Sequence, residues 1–154
     1  MDITSEYVHQ LLQQAGWMDN RAIDTSEYQL SFEENELPIL PAALKIPGEF
    51  GRLRLEGIDP YTQSNYVWLD IDPVFACDVQ SVELLRDFFV IIERPLTPIG
   101  TAAQGLWILL VDAEGQIYAN HDLDIYYLAD NMREAIQILC NPKRKNLRKL
   151  GRVG

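Results

Sequence analysis

The strongest constraint on the fold lies between Arg94 and Leu139, where RPLTPIG is followed by LWILLVDAEGQIYANHD and then by DNMREAIQIL. The order reads as a Pro-Gly turn, a strand, a tight turn, a return strand and an amphipathic helix. Leu106 to Val111 is a continuous apolar run and predicts a central strand. Asp112-Ala113-Glu114-Gly115 supplies a hairpin turn with glycine at its left-handed position, and Gln116 to Ala119 is the return strand. Asp130 or Asn131 caps the last helix, whose apolar face is Met132, Ala135, Ile136 and Leu139. The acids and the one histidine of this stretch fall where turns and strand ends put them. Order without an obvious chemical constellation points to a chain that binds something rather than one that turns it over.

The rest of the sequence fits around this unit. Ser5 starts a helix with Tyr7, Val8, Leu11, Leu12 and Ala15 at helical spacing, and Gly16 closes it, with Trp17 expected to pack back on its end. Arg21 to Ser31 reads as a connector and a short strand. Pro38 and Pro41 bracket the start of a short helix whose apolar face runs from Ala42 to Ile46, and Pro47-Gly48 is expected to stop it. Arg52 to Glu56 alternates as a half-exposed strand, Asp59-Pro60 turns, and Tyr66 to Ile71 is a second strand. Asp72-Pro73 breaks that strand. Val82 to Val90 is a helix, and Pro98-Ile99-Gly100 is a turn. Asn141-Pro142 ends the last helix. Helices and strands in this order imply one α+β domain with a mainly antiparallel sheet.

A chain of 154 residues with 47% hydrophobic residues is long enough to bury a core without a disulfide or metal. Cys77 and Cys140 read as two buried thiols in a reducing compartment, with a long-range disulfide or a reactive thiol as alternatives. An acidic start at Met1-Asp2 and the lack of a long apolar run predict a cytoplasmic protein. The net charge of −10 is unevenly spread. Residues 1–142 hold all 23 acids and 7 of the 13 basic residues, a net of −16. Residues 143–154, KRKNLRKLGRVG, hold the other six bases and no acid, a net of +6. An acidic body favours basic partners. The tail is expected to be a flexible, solvated end. Its alternatives are a short amphipathic helix on Leu147 and Leu150, a phosphate or lipid contact, or a segment folded back on the acidic body.

Three groups carry the candidate chemistry. Asp70 and Asp72 flank Ile71, so a strand puts both on one face. Paired carboxylates suit acid–base work, a cation or a basic partner, yet turn chemistry before Pro73 explains Asp72 as well. His121 beside Asp122 and Asp124 has no ligand spacing, and His9 lies far away in sequence. A small hydrolase built on Asp70, Asp72 and His121 would need these side chains in one cleft, and no nucleophile, oxyanion site or metal set accompanies them. Tyr126 and Tyr127 are adjacent on an extended segment and face opposite ways, so one of them is a candidate exposed anchor.

Five collinear pieces now acquire a common meaning. They are Gly16-Trp17; Leu44 with Gly48-Glu49-Phe50-Gly51-Arg52-Leu53; Ile71-Asp72-Pro73 with Ala76; Pro98-Ile99-Gly100 with Asp112-Ala113-Glu114-Gly115-Gln116-Ile117-Tyr118; and Arg133-Glu134-Ala135-Ile136. In this order, over roughly residues 10–140, the chain resembles the SUKH superfamily of bacterial immunity proteins, specifically its third subfamily. Arg52 stands where the pattern carries a second glycine, and Leu128-Ala129 replaces a Leu-Gly pair. The resemblance implies a SUKH-like α+β domain over residues 1–142, with a twisted sheet and helices around it. The implied role is that of a non-enzymatic immunity protein, without cofactor or metal, that binds and neutralises a cognate toxin domain, often a nuclease or deaminase. The residues expected to face that partner are Glu49, Asp70, Asp72, Asp122, Tyr126 and Tyr127. A regulatory interaction module of the same fold, with the basic tail as a second contact, is the competing expectation. Either form is compatible with a monomer or a dimer.

Overall fold

The computed structural model describes residues 6–59, 62–141 and 146–154. Ser5, Pro60, Pro142 and the first three residues of the basic tail, which the sequence reading used, lie outside them. Helix α1 (Glu6–Ala15) buries Val8, Leu11 and Leu12. Gly16 ends it at φ +103, with Gly16 N–H donating to Gln13 O (3.0 Å) and Trp17 N–H to Leu12 O (2.9 Å). These two bonds satisfy carbonyls that the helix end would otherwise leave open. Trp17 is buried against the core as expected.

Two helices replace expected loops and strands. Residues Ser26–Glu34 form α2, not a connector and strand. Tyr28, Ser31 and Phe32 bury one face of it at helical spacing, and the Asp24 carboxylate accepts from both the N–H and the hydroxyl of Ser26 at its start. Helix α4 (Pro73–Val79) follows Asp72 directly. Asp72 is more than a strand breaker: its carboxylate accepts the Phe75 N–H at 3.2 Å, and Pro73 opens the helix where no N–H is needed.

Helix α3 (Pro41–Phe50) runs through Pro47 instead of stopping there. An interior proline costs about 3 kcal/mol in an isolated helix. Here its ring is buried, and Arg21 caps the exit by donating to the carbonyls of Glu49 (2.6 Å) and Gly51 (2.7 Å). The next residue, Arg52, sits at φ +65. That is the conformation a glycine adopts freely and an L-residue adopts at a cost of about 1 kcal/mol. Its side chain is exposed and makes a long surface pair with Glu27 (3.4 Å). Replacing Arg52 with glycine is therefore expected to raise stability by about 0.5 kcal/mol after the added freedom of the unfolded chain is subtracted. A urea midpoint that falls instead would show the side chain to matter more than its backbone strain.

The sheet is a seven-stranded antiparallel meander in the order β1 (Arg54–Ile58), β2 (Asn65–Asp70), β3 (Thr97–Ala102), β4 (Trp107–Val111), β5 (Ile117–His121), β6 (Asp124–Ala129) and β7 (Arg148–Arg152). Helices α4 and α5 (Val82–Ile92) link β2 to β3, and α6 (Met132–Leu139), capped by Asn131, lies between β6 and β7. The expected turn at Pro98-Ile99-Gly100 is in fact the buried interior of β3. A proline is tolerated there because the β3–β4 register shifts between Pro98 and Gly100, and β2 pairs only with Thr101 and Ala102.

Strand β4 shows why its sequence is apolar throughout. Trp107, Leu109 and Val111 pack in one core cluster with residues of α1, α3 and α6, whereas Ile108 and Leu110 pack in a second with Leu85 and Phe88 of α5. The sheet is covered on both faces, so alternation gives no polar side. The described part of the C-terminal tail takes the fold-back alternative, not the solvated end. Arg148–Arg152 is neither a solvated end nor a helix but pairs with β6. Two tail cations, Lys149 and Arg152, reach the Asp124 carboxylate at 3.1 and 3.0 Å, while Leu150 and Val153 join the α5 cluster. Charge opposite in sign to the body, together with two apolar side chains, converts the tail into an edge strand.

Candidate protein-binding face

Asp70 and Asp72 do come together. Asp70 ends β2, Asp72 caps α4, and both line an open concavity of about 430 Å³ with Arg54, Val67, Phe75, Thr101, Gln104 and Gly105. Asp70 pairs with Thr101 and Thr101 with Ile108, which packs under α5. Asp70 therefore stands on the same face as the α5 cluster, at the β1–β3 end of the sheet. Arg54 divides its guanidinium between Glu56 (3.3 Å) and Asp70 (3.6 Å). Burial, and secondarily the charge of Asp72, raises the Asp70 carboxyl above its ordinary value, and Arg54 offsets only part of this. This carboxylate would gain from a further cation.

The other expected partner residues are dispersed. Glu49 is occupied within the fold: Arg133 of α6 donates to it at 2.5 Å, Trp17 Nε1 lies at 3.4 Å, and the Arg133 guanidinium stacks over the rings of Trp17 and Phe50. This junction ties α3 to α6 and to the end of α1. Asp122 is exposed in the β5–β6 turn at φ +52, 4.0 Å from His121. His121 is not among the residues lining the Asp70–Asp72 concavity, so the three side chains of the hydrolase reading do not share that cleft. Tyr126 and Tyr127 do face opposite ways. Tyr126 stacks on Trp107 with 11° between the rings, and Tyr127 packs edge-on to Tyr118 beneath Arg148. The Tyr127 hydroxyl donates to Asp130, a bond that chiefly accounts for its phenol being pushed up to about 12. Both rings are half-buried, so neither is a freely projecting anchor.

One polar centre escaped the sequence reading. Asp112 of the Asp-Ala-Glu-Gly turn is fully buried. One oxygen accepts the N–H groups of Glu114 (2.9 Å) and Gln116 (3.0 Å), and the other accepts from Arg94 (2.9 Å) and the Tyr118 hydroxyl (2.9 Å). The motif showed the turn; the partners 18 residues upstream and six downstream had no local signal. Arg94, Gln116, Tyr118, Tyr127, Asp130 and Arg148 line a wide concavity of about 760 Å³ beside the end of α5. Its tyrosine hydroxyls and its Arg94 are already committed to acids of the fold.

The cysteines are free and buried, and burial pushes their thiols up to about 11 for Cys77 and about 12 for Cys140. They are poor nucleophiles in this state. Among the described residues no group of three or more His, Cys, Asp or Glu side chains is placed to hold a metal, and no helix is long and apolar enough to cross a membrane.

A multi-stranded antiparallel sheet with helices packed around it matches the architecture of a SUKH-like α+β domain. The sequence confirms the class at finer grain: the model of the SUKH-3 immunity protein family matches residues 4–142, and the chain belongs to that family. No curated protein and no solved structure matches it. Immunity proteins of this family are not catalytic; SUKH immunity proteins bind cognate toxin proteins.

Proposed function

We propose that this chain forms a one-to-one complex with one cognate toxin domain and neutralises it by covering its active site. The observation that carries this is charge placed on a family scaffold. A SUKH-3 domain matched over residues 4–142 carries nearly all of the acid of a chain with net charge −10. A nuclease or deaminase must itself attract nucleic acid, so its surface around the active site is basic. An acidic inhibitor competes for that surface and is steered to it over a distance of about a Debye length. Asp70, Asp72 and Asp122 are the surface acids proposed to take part. Glu49 and the two tyrosines contribute through the packing they hold. The rival regulatory module gave the basic tail a separate contact, and support for it is reduced by the pairing of Lys149 and Arg152 with Asp124.

The test is co-expression with the toxin-like domain encoded beside this chain's gene. Growth arrest by that domain alone, restored by this chain, together with a complex whose affinity falls about tenfold between 50 and 200 mM salt, is the expected result. A toxic neighbour that this chain neither binds nor neutralises would overturn the proposal.

A further inference from the structure

The Asp70–Asp72 concavity has more than charge. On α4, Phe75 and Val79 lie one turn apart and are 48% and 46% exposed. Phe75 lines the Asp70–Asp72 concavity, and across it Gly105 lies next to Leu106, which is 63% exposed on the β3–β4 turn. A helix that buries Pro73, Ala76 and Cys77 has thus kept a large aromatic and a β-branched side chain in water on its other side. Single exposed apolar residues are ordinary, but an exposed aromatic set in a concavity is the kind of side chain enriched at protein interfaces. The surrounding charge selects the partner. Asp70 and Asp72 meet one cation, Arg54, among the described lining residues. Arg54 is shared between Glu56 and Asp70, whereas the contact described for Asp72 is the Phe75 N–H.

We infer that this α4–β2 face is where the toxin docks, with Phe75 as the apolar anchor and Asp70 and Asp72 receiving lysines or arginines of the toxin. The inference rests on the immunity reading and adds the location and chemistry of the contact. The complementary surface is a basic segment carrying one apolar recess wide enough for a phenyl ring. Aromatic anchors at the centre of an interface control dissociation, whereas acids at its rim control encounter. The two groups should therefore separate kinetically.

The experiment measures association and dissociation of the full chain with the toxin domain encoded beside it, at 50 and 300 mM salt. Variants are Phe75→Ala, the pair Asp70→Asn with Asp72→Asn, and Asp87→Lys on the outer side of α5 as control. Asparagine keeps the α4 cap, so the pair removes charge without removing the helix start. Thermal melts and gel filtration of each free variant check folding and oligomeric state. The expected result is at least about a thirtyfold loss of affinity for Phe75→Ala, mostly in dissociation. The double asparagine variant should associate about tenfold more slowly at low salt and near normally at high salt. The control should bind within about threefold of the parent. If the parent chain binds and protects but both face variants bind like the control, the location is wrong and the immunity reading stands. A dimeric free chain that Phe75→Ala makes monomeric, with toxin affinity unchanged, would assign the face to a second copy and overturn the inference. Failure of the parent chain itself to bind or protect overturns the immunity reading, and this inference with it.

Discussion

Asp112→Ala is expected to destabilise the domain by about 4 kcal/mol, because four hydrogen bonds converge on one buried carboxylate. The loss is not uniform across the four. Arg94 is partly exposed and can turn to water or to Glu114, 3.6 Å away. The two turn N–H groups and the Tyr118 hydroxyl have less freedom, since the turn geometry and the buried ring hold them in place; Gln116 Oε1 at 3.2 Å remains as an acceptor for the hydroxyl. Asp112→Asn keeps an acceptor for the turn but loses the ion pair and brings an NH₂ towards donors, so about half the loss is expected. For a domain of this size 4 kcal/mol corresponds to a fall in Tm of about 10 °C, which a thermal melt reads directly. A fall under about 3 °C for the alanine variant would mean that the network is ornamental. The alkaline limb gives a second readout. Burial first, then the Asp112 bond, pushes the Tyr118 phenol up to about 12. Its proton is held more tightly folded than unfolded. Raising the pH through the ordinary tyrosine range therefore favours the unfolded chain, and Asp112→Ala should flatten that part of the profile.

The legible parts of this fold were those whose cause is local. Gly16 announced the end of α1 because only a left-handed residue closes a helix that way. The β4–β5 hairpin was legible because its turn residues and apolar strand adjoin. Asn131 capped α6 as its position suggested. The errors share a different cause: a tertiary contact overrode a local signal. Pro47 reads as a stop, yet Arg21, 28 residues from Glu49, caps the helix that runs through it. The Pro98-Ile99-Gly100 segment reads as a turn, and only the limited pairing of β2 and the register shift against β4 let it be a strand. The tail reads as solvated until Asp124 and the open edge of β6 are known. The same division holds for the site. Alternation across Ile71 was enough to place Asp70 and Asp72 together, whereas Glu49 gave no sign of the arginine 84 residues away that occupies it. Phe75 was invisible as an anchor because the helix that displays it was not foreseen.

Gly100→Ala should be nearly as costly as the loss of Asp112, and for the opposite physical reason. A methyl group built on Gly100 would lie 2.5 Å from the Asp70 carbonyl oxygen, 3.1 Å from the Ile71 Cα and 3.3 Å from the Ile71 side chain. The first two neighbours are backbone and cannot rotate away. Overpacking in a well-filled core costs about 1–3 kcal/mol, and a clash with main chain belongs at the upper end. The φ angle of Gly100 is not the issue; the space is. Relief requires β3 to move away from the end of β2, and the atoms that would move belong to Asp70 and Ile71, immediately before the Asp72 cap of α4. The substitution therefore couples stability to the docking face. A loss of about 3 kcal/mol in a urea titration is expected. In the fraction that remains folded, toxin binding should weaken although no side chain of the face has changed. A Gly100→Ala chain that melts within 2 °C of the parent would show that β2 and β3 separate easily at this point. The position of Asp70 would then be set by Arg54 and Asp72 rather than by close contact between the strands.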